Sequence, residues 1–241
     1  MNRDSNSYTF LFATIMVFIV ASSLAITASS LKNLQQENVR KEKMQNILST
    51  IGIKTNREMA EDLYVKHITK EISLKSDGSI DSLRDAFTIT LSKEIKKPIS
   101  DQRFPLYEAN LEGVKYYIVP LYGAGLWNAI WGYIALKEDI NTIQGAVFDH
   151  TGETAGLGAE ITQQWFQDRF LEEKVFDNNG KLVGINVSKT NNDPNDLDKL
   201  DHEVDAISGA TITGDGVTEM ILERLSHYLP FFKKKSSIAL N

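Results

Sequence analysis

Residues 115–148 read KYYIVPLYGAGLWNAIWGYIALKEDINTIQGAVF, and this stretch decides the fold. Three runs within it are rich in β-branched and aromatic residues: Lys115–Leu121, Ile130–Leu136 and Thr142–Phe148. Glycines and charged residues separate the runs, as is typical of connections between strands. The stretch therefore predicts three consecutive β-strands in the middle of the chain.

Outward from this stretch, the remaining elements are mostly helices near the two ends. Predicted helices cover residues 31–51, Arg57–Val65, Gln163–Leu171 and Val217–Leu229, the last of them ending before Pro230. Two more strands are predicted, Val65–Leu74 and Lys181–Ser188, the second following the turn sequence at Asp177–Gly180. Strands clustered together, with helices at the ends, favour an α+β fold with a mainly antiparallel sheet over alternating βαβ units.

The composition excludes several functions. The 241 residues include no cysteine, so this chain cannot form disulfides, supply thiolate ligands to zinc or iron–sulfur clusters, or use a cysteine nucleophile. The formal net charge is −6, with 26 Lys+Arg against 32 Asp+Glu. A nucleic-acid-binding protein would be expected to carry a basic face, so we expect no nucleic-acid partner.

An uncharged segment near the N-terminus predicts a membrane anchor. Residues 5–31 carry no charge, and the 19 residues Phe10–Ala28 would span roughly 28 Å as a helix, close to the thickness of a bilayer core. A cleaved signal peptide is the alternative, but the basic n-region is weak and the apolar run is long. We predict a transmembrane anchor at residues 1–30, a helical stalk at 31–55 and a folded domain at 56–241. Basic residues are more frequent after the anchor than before it, which by itself favours a cytoplasmic domain.

Two glycine-rich loops are candidates for ligand contacts. Trp127, in the loop Gly123–Asn128, is expected either to stack on a planar ligand or to fill the core, and the core is favoured at this point. Residues 150–160, HTGETAGLGAE, lack the signature of a P-loop. His150 and Glu153 have a spacing that a metal site could use, but a simple turn is favoured. The acidic residues of 191–205, including Asp196, do not follow the spacing of an EF-hand and predict a solvated loop.

The segment DAISGATIT, residues 205–213, precedes the last predicted helix. Its serine and threonines are common at ordinary helix starts. The small residues Ser208, Gly209 and Ala210 would also let another enzyme approach the Thr211 hydroxyl closely. A phosphate attached there would lie beside the free amides of a helix N-terminus, which favour negative charge.

Four features in order resemble one family of flavoproteins. They are the N-terminal anchor, Gly125–Trp127 followed by Gly132–Leu136, the string His-x-x-Glu-Thr-x-Gly-Leu-Gly at 150–158, and the segment Ser-Gly-Ala-Thr at 208–211. The last of these resembles the sequence that FAD-dependent flavin transferases modify. Together the four resemble the C subunit of the sodium-translocating NADH:quinone oxidoreductases along nearly the whole chain.

The resemblance implies an FMN joined through its phosphate to the hydroxyl of Thr211 as a phosphodiester. Ser208, Gly209 and Ala210 would shape the acceptor loop, and Thr213 would contact the phosphate. The residues implied to border the isoalloxazine ring are Leu126, Trp127, Glu153, Thr154, Gly156 and Leu157. Lys189 is implied to reach the flavin. No metal site and no catalytic residue are implied.

The implied function is electron transfer within a membrane complex. A chain of this family would relay single electrons between an iron–sulfur centre and another covalent FMN on partner subunits of a six-subunit NADH:quinone reductase that transports Na⁺. A flavin transferase would be needed for maturation, and the domain would lie outside the bacterial cytoplasmic membrane, against the charge-based orientation. Two alternatives are the G subunit of a ferredoxin:NAD oxidoreductase and a membrane-anchored binding module without a redox role. The sequences at 125–127 and 132–136 favour the quinone reductase.

Overall fold

The computed structural model describes residues 3, 5–193 and 197–239, and the chain divides into two compact units at Lys43 and Met44. The α-helices are α1 (Asn6–Ser49), α2 (Ala60–His67), α3 (Leu91–Glu94), α4 (Gln164–Gln167), α5 (Thr211–Ser226) and α6 (Leu229–Ala239). The strands are β1 (Ile68–Leu74), β2 (Phe104–Leu111), β3 (Val114–Ala124), β4 (Ala129–Leu136), β5 (Ile143–His150), β6 (Asn186–Val187) and β7 (Glu203–Val204). Short 3₁₀ helices lie in the connections, including Gly158–Thr162 and Asp168–Phe170.

The first unit is the greater part of α1. This helix is long and apolar enough to cross a membrane, with a mean hydropathy of 2.3 over its most apolar window. Two hydroxyl side chains in its apolar part donate hydrogen bonds to the helix backbone: Ser23 Oγ to the carbonyl of Ile19 at 2.8 Å, and Thr27 Oγ1 to that of Ser23 at 2.9 Å. These bonds lower the cost of placing hydroxyls in hydrocarbon.

The second unit is built on a five-stranded sheet in the order β1-β2-β3-β4-β5. Every neighbouring pair in this sheet is antiparallel, so the chain forms a simple meander. The fold class predicted from the sequence, α+β with a mainly antiparallel sheet, is confirmed. β6 and β7 form a separate parallel pair of two residues each.

Each face of the five-stranded sheet is covered by a different group of elements. One face packs against the main core, which includes Val217 and Ile221 of α5. The other face packs against α2 and the last turns of α1. Met44, Ile47 and Leu48, within the range that the sequence assigns to a stalk, are buried in this second core. Because β3 and β4 are covered on both sides, they read as continuous apolar runs rather than as alternating ones.

Helix α5 lies directly over β3, and a glycine permits the close approach. A Cβ at Gly216 would lie 2.3 Å from the carbonyl oxygen of Ala124, at the end of β3. The absence of a side chain there lets the first turn of α5 approach the loop that joins β3 and β4. Thr211 and Trp127, 84 positions apart in the sequence, consequently belong to the same end of the sheet.

Several elements differ from the secondary structure predicted from the sequence. Strand β2 is not predicted, because Pro105 and Glu108 interrupt its apolar pattern, yet it pairs with both β1 and β3. The predicted strand Lys181–Ser188 is reduced to β6, because the backbone at Gly184 has φ +72° and leaves the extended conformation. The last predicted helix begins earlier, at Thr211, and a further helix, α6, starts just before Pro230. Proline is tolerated there because the first N–H groups of a helix have no internal partner.

Candidate flavin site

A cavity of about 230 Å³ opens at the start of α5 and collects most of the residues that the sequence singles out. Its lining comes from the β3–β4 loop, the loop after β5 and the start of α5. The ten lining residues are Leu126, Glu153, Thr154, Leu157, Gly158, Gly209, Ala210, Thr211, Ile212 and Thr213. Of the predicted site residues, Trp127, Gly156, Lys189 and Ser208 are outside this lining.

The carboxylate of Glu153 joins the three segments that form the cavity. Its side chain is only 7% exposed. Oε1 accepts a hydrogen bond from the backbone N–H of Trp127 at 2.9 Å, and Oε2 accepts one from the hydroxyl of Thr213 at 2.7 Å. One side chain of the loop after β5 therefore holds both the β3–β4 loop and the first turn of α5.

These contacts keep Glu153 ionised. Burial raises the pKa of the carboxyl, but hydrogen bonds from Thr213 and from the backbones of Trp127 and Asn128, together with the nearby His150, outweigh it. The pKa of Glu153 therefore lies below its ordinary value. Charge-assisted hydrogen bonds of this kind are stronger than neutral ones, so the buried charge is compensated rather than left isolated.

Gly158 provides the space in which Glu153 and Thr213 meet. A Cβ at position 158 would lie 2.4 Å from Thr213 Oγ1 and 2.5 Å from Glu153 Oε2. Any other residue would push the carboxylate and the hydroxyl apart. Packing around the hydrogen bond between Glu153 and Thr213 thus explains why the string at 150–158 has a glutamate at 153 and a glycine at 158.

Residues 207–210 form a short turn that exposes Thr211. Ile207 and Ala210 are buried, and the N–H of Ala210 donates to the carbonyl of Ile207 at 3.0 Å. Gly209 has φ +73°, a conformation that favours glycine, and a Cβ there would lie 2.7 Å from Leu157 Cδ2. The buried residues anchor the turn, while Thr211 itself is exposed at the edge of the cavity.

Arg169 and Asp205 fix the chain just before this turn. Arg169 Nη1 donates to the carbonyl oxygens of Asp205 at 2.6 Å and Ala206 at 3.3 Å. The carboxylate of Asp205 is buried and accepts hydrogen bonds from the backbones of Asn192 and Asp193 at 3.0 and 3.3 Å. These contacts give the acidic residue of the DAISGATIT segment a structural role.

The start of α5 offers backbone donors to an anion. Thr211 is the first helical residue, and Ala210 at the N-cap provides no side-chain hydrogen bond. The first N–H groups of an α-helix have no partner within the helix and lie at the positive end of its dipole. Thr213 is 1% exposed and its hydroxyl proton is engaged by Glu153, so Thr211 presents the accessible hydroxyl.

Four exposed apolar side chains lie on the loops and the helix turn that form the cavity, and three of them belong to its lining. The exposed fractions are 69% for Trp127, 57% for Ile212, 46% for Leu126 and 41% for Leu157. The favoured interpretation of Trp127 as a core residue is therefore wrong, because its ring lies on the surface at the tip of the β3–β4 loop. We call these four residues the apolar rim.

The remaining candidate residues have other contacts. Lys189 Nζ lies 3.8 Å from a carboxylate oxygen of Asp215, one helical turn after Thr211. The N–H of Gly156 donates to Glu160 at 3.0 Å, which closes the turn around that glycine.

The metal alternative for the loop after β5 finds no support in the arrangement of side chains. His150 Nδ1 accepts from the backbone N–H of Glu153 at 3.1 Å, as in an ordinary turn. Within residues 3, 5–193 and 197–239, no group of three His, Asp or Glu side chains is placed to hold a metal ion. Asp196, one of the acidic residues of the loop 191–205, lies outside the described residues.

Sequence reasoning missed two residues of the cavity, Gly158 and Ile212. Gly158 belongs to the string at 150–158, but its closeness to Thr213 follows from the packing of the loop against α5 and has no signal in the sequence. Ile212 lies between two singled-out threonines, and an exposed isoleucine in a first helical turn has no distinct sequence signal.

The comparisons with known proteins agree with this geometry. The family model for the FMN-binding domain matches residues 125–226, which include the β3–β4 loop, the loop after β5 and α5. The fold and site thus define an FMN-binding domain.

Relatives from several bacteria match almost the full chain. A solved structure of the C subunit of Na(+)-translocating NADH-quinone reductase from Parabacteroides distasonis is 37% identical, with a TM-score of 0.74, covering 83% of this chain and 96% of that one. The protein of the same name from Neisseria meningitidis serogroup A is 30% identical over 98% of this chain and 96% of its own. The structure of Shewanella oneidensis NqrC is 26% identical, with a TM-score of 0.66, covering 82% and 98% of the two chains. The chain belongs to the family formed by the C subunits of Na(+)-translocating NADH-quinone reductases.

Gly158→Ala is the substitution that most directly tests the packing around Glu153. The added methyl group would separate Glu153 from Thr213, and we expect the free energy of unfolding to fall by about 1–3 kcal/mol. Urea titration of the full chain in detergent, followed by tryptophan fluorescence, measures this change.

Gly152→Ala is the matched control in the same loop, since a Cβ there would meet nothing within 4 Å. We expect it to change stability by no more than about 0.5 kcal/mol. Equal effects of the two variants would contradict the packing role of Gly158.

Proposed function

We propose that this chain carries an FMN covalently bound to Thr211 and relays single electrons between an iron–sulfur centre and another covalent flavin on partner subunits of a Na⁺-transporting NADH:quinone reductase. The observation that carries the proposal is the exposed hydroxyl of Thr211 at the uncapped start of α5, at the edge of a cavity with an apolar rim. The names and nearly full-length similarity of the relatives support the same function.

The residues of the cavity fit a flavin phosphate and ring. The backbone N–H groups at the start of α5 suit the phosphate, because they are free donors at the positive end of the helix dipole. Leu126 and Leu157 suit the apolar ring system. The cavity is smaller than the roughly 300–1,000 Å³ of typical ligand pockets, so a flavin held here would remain partly exposed. Partial exposure is useful for electron exchange with a neighbouring subunit.

A flavin transferase would form the link. The hydroxyl oxygen of Thr211 would bond to the FMN phosphorus of FAD, AMP would leave, and the hydroxyl proton would be lost. The turn 207–210 supports this step, because its buried ends hold Thr211 outward. When bound, FMN supplies one-electron chemistry that the side chains of this chain do not have. A covalent link keeps the effective concentration of the carrier high in every redox state.

The described site favours a relay over a self-sufficient dehydrogenase. Glu153 is the only ionisable side chain among the ten residues that line the cavity, and both of its oxygens are occupied by hydrogen bonds. Hydride exchange with an organic substrate commonly uses a free acid–base group beside the flavin. The sequence also lacks a Gly-x-Gly-x-x-Gly fingerprint that would bind NADH.

The membrane role completes the proposal. We place α1 across the bacterial cytoplasmic membrane as an uncleaved anchor, with the FMN-binding domain on the outer side, in a complex of six subunits. The apolar length of α1 supports the anchor, and the family resemblance supports the orientation. Because residues 5–31 carry no charge, this helix is unsuited to forming the ion path itself.

Replacement of the acceptor hydroxyl tests the attachment site. Coexpressed with a flavin transferase, Thr211→Ala should lose flavin fluorescence on a denaturing gel, because no oxygen remains to bond the phosphate. Thr211→Ser should retain it. Ser226→Ala is the matched control, since its hydroxyl is exposed at the other end of the same helix and donates only to the carbonyl of Glu223, and this variant should remain fluorescent. Fluorescence that persists in Thr211→Ala would refute Thr211 as the acceptor.

Reduction experiments test the relay. The flavinylated full chain in detergent should be reduced by dithionite but react negligibly with NADH, because the sequence has no fingerprint for binding a dinucleotide. Stopped-flow absorbance of the flavin measures both rates. Rapid reduction by NADH in the absence of other subunits would place this chain among self-sufficient flavoenzymes instead.

Protease accessibility tests the orientation. Protease added to intact spheroplasts should digest the domain from residue 44 onward and leave the anchor in the membrane, as followed by antibodies against each part. A cytoplasmic protein serves as the control for intact membranes. Digestion that occurs only after the membrane is broken would reverse the proposed orientation.

A further inference from the structure

The lining of the cavity contains a single charged side chain. Among the ten described residues that line it, only Glu153 is ionisable, and the other nine are apolar, glycine or threonine. The carboxylate is 7% exposed and shares the cavity with Thr211. A fixed charge with so little access to water is weakly screened and acts strongly on any neighbouring redox group.

The carboxylate is also rigid. Its two oxygens accept hydrogen bonds from different segments, one from the N–H of Trp127 and one from the hydroxyl of Thr213. A Cβ at Gly125 would lie 2.5 Å from Oε1, and one at Gly158 would lie 2.5 Å from Oε2. The backbone therefore surrounds the carboxylate closely on two sides and prevents it from turning away from the cavity.

We infer that Glu153 is a positioning residue that also sets the redox potential of the flavin, by holding a negative charge beside the ring. The inference rests on the proposed attachment of FMN at Thr211. Adding an electron to the ring places negative charge near the carboxylate, which is unfavourable by Coulomb's law. Glu153 therefore lowers the midpoint potential.

The charge and the geometry can be separated by two substitutions. Glu153→Gln removes the charge but keeps the shape, and its carbonyl oxygen can still accept from the N–H of Trp127. Glu153→Asp keeps the charge but withdraws the carboxylate from Thr213. Glu160→Gln is the matched control, because Glu160 lies in the same loop, accepts from Gly156 and is not part of the cavity lining.

The test is spectroelectrochemical titration of the flavinylated full chain in detergent, with thermal melting of each variant. We expect a positive shift of the midpoint potential in Glu153→Gln and no shift in Glu160→Gln. We expect Glu153→Asp to melt at a lower temperature without a positive shift. A positive shift in Glu153→Asp would contradict the inference even if Glu153→Gln does not fold, because this variant keeps the charge.

Two results would overturn the inference alone. One is an unchanged potential in a flavinylated Glu153→Gln protein, and the other is an equal positive shift in Glu153→Asp or Glu160→Gln. Either would show that the charge of Glu153 does not act specifically on the flavin. Absence of any bound flavin from the wild-type chain would instead overturn the proposed function, and the inference with it.

Discussion

The buried carboxylate of Glu153 is the contact on which the rest of the site depends. It accepts hydrogen bonds from the β3–β4 loop and from the first turn of α5, and it is itself part of the loop after β5. These segments are far apart in the sequence and meet at one end of an antiparallel meander. Without this contact, the three segments around the cavity would be held together only weakly, since most of the lining is glycine, threonine and exposed apolar side chains. A paired buried charge can specify a unique arrangement even where it adds little net stability.

The proposed attachment of the cofactor would explain the small volume of the cavity. A carrier that is joined covalently does not depend on a deep pocket for affinity, because its effective concentration is fixed by the link. The protein then has to orient the ring, favour the phosphate and adjust the potential. The apolar rim, the start of α5 and Glu153 correspond to these three tasks. Trp127 is 69% exposed at the tip of the β3–β4 loop.

The sequence predicts the elements of this site better than it predicts their contacts. The strands around residues 115–148 and the α+β class follow from local residue patterns, and Thr211 follows from a short motif. Strand β2 does not, because its pairing with β1 and β3 overrides the proline and the single charged residue in its sequence. The meeting of Glu153 with Thr213 depends on a long-range contact over 60 positions, and no local pattern encodes it. The exposure of Trp127 could not be predicted for a similar reason, because it depends on which distant residues pack over the β3–β4 loop.

A structure of the flavinylated full chain would test the central claim most directly. We expect continuous density from Thr211 Oγ1 to the FMN phosphate at the start of α5, and the ring against Leu126 and Leu157. The hydrogen bond between Glu153 and Thr213 should remain intact beneath it. Density that joins the flavin to any other residue, or a ring that lies away from Glu153, would contradict the claim.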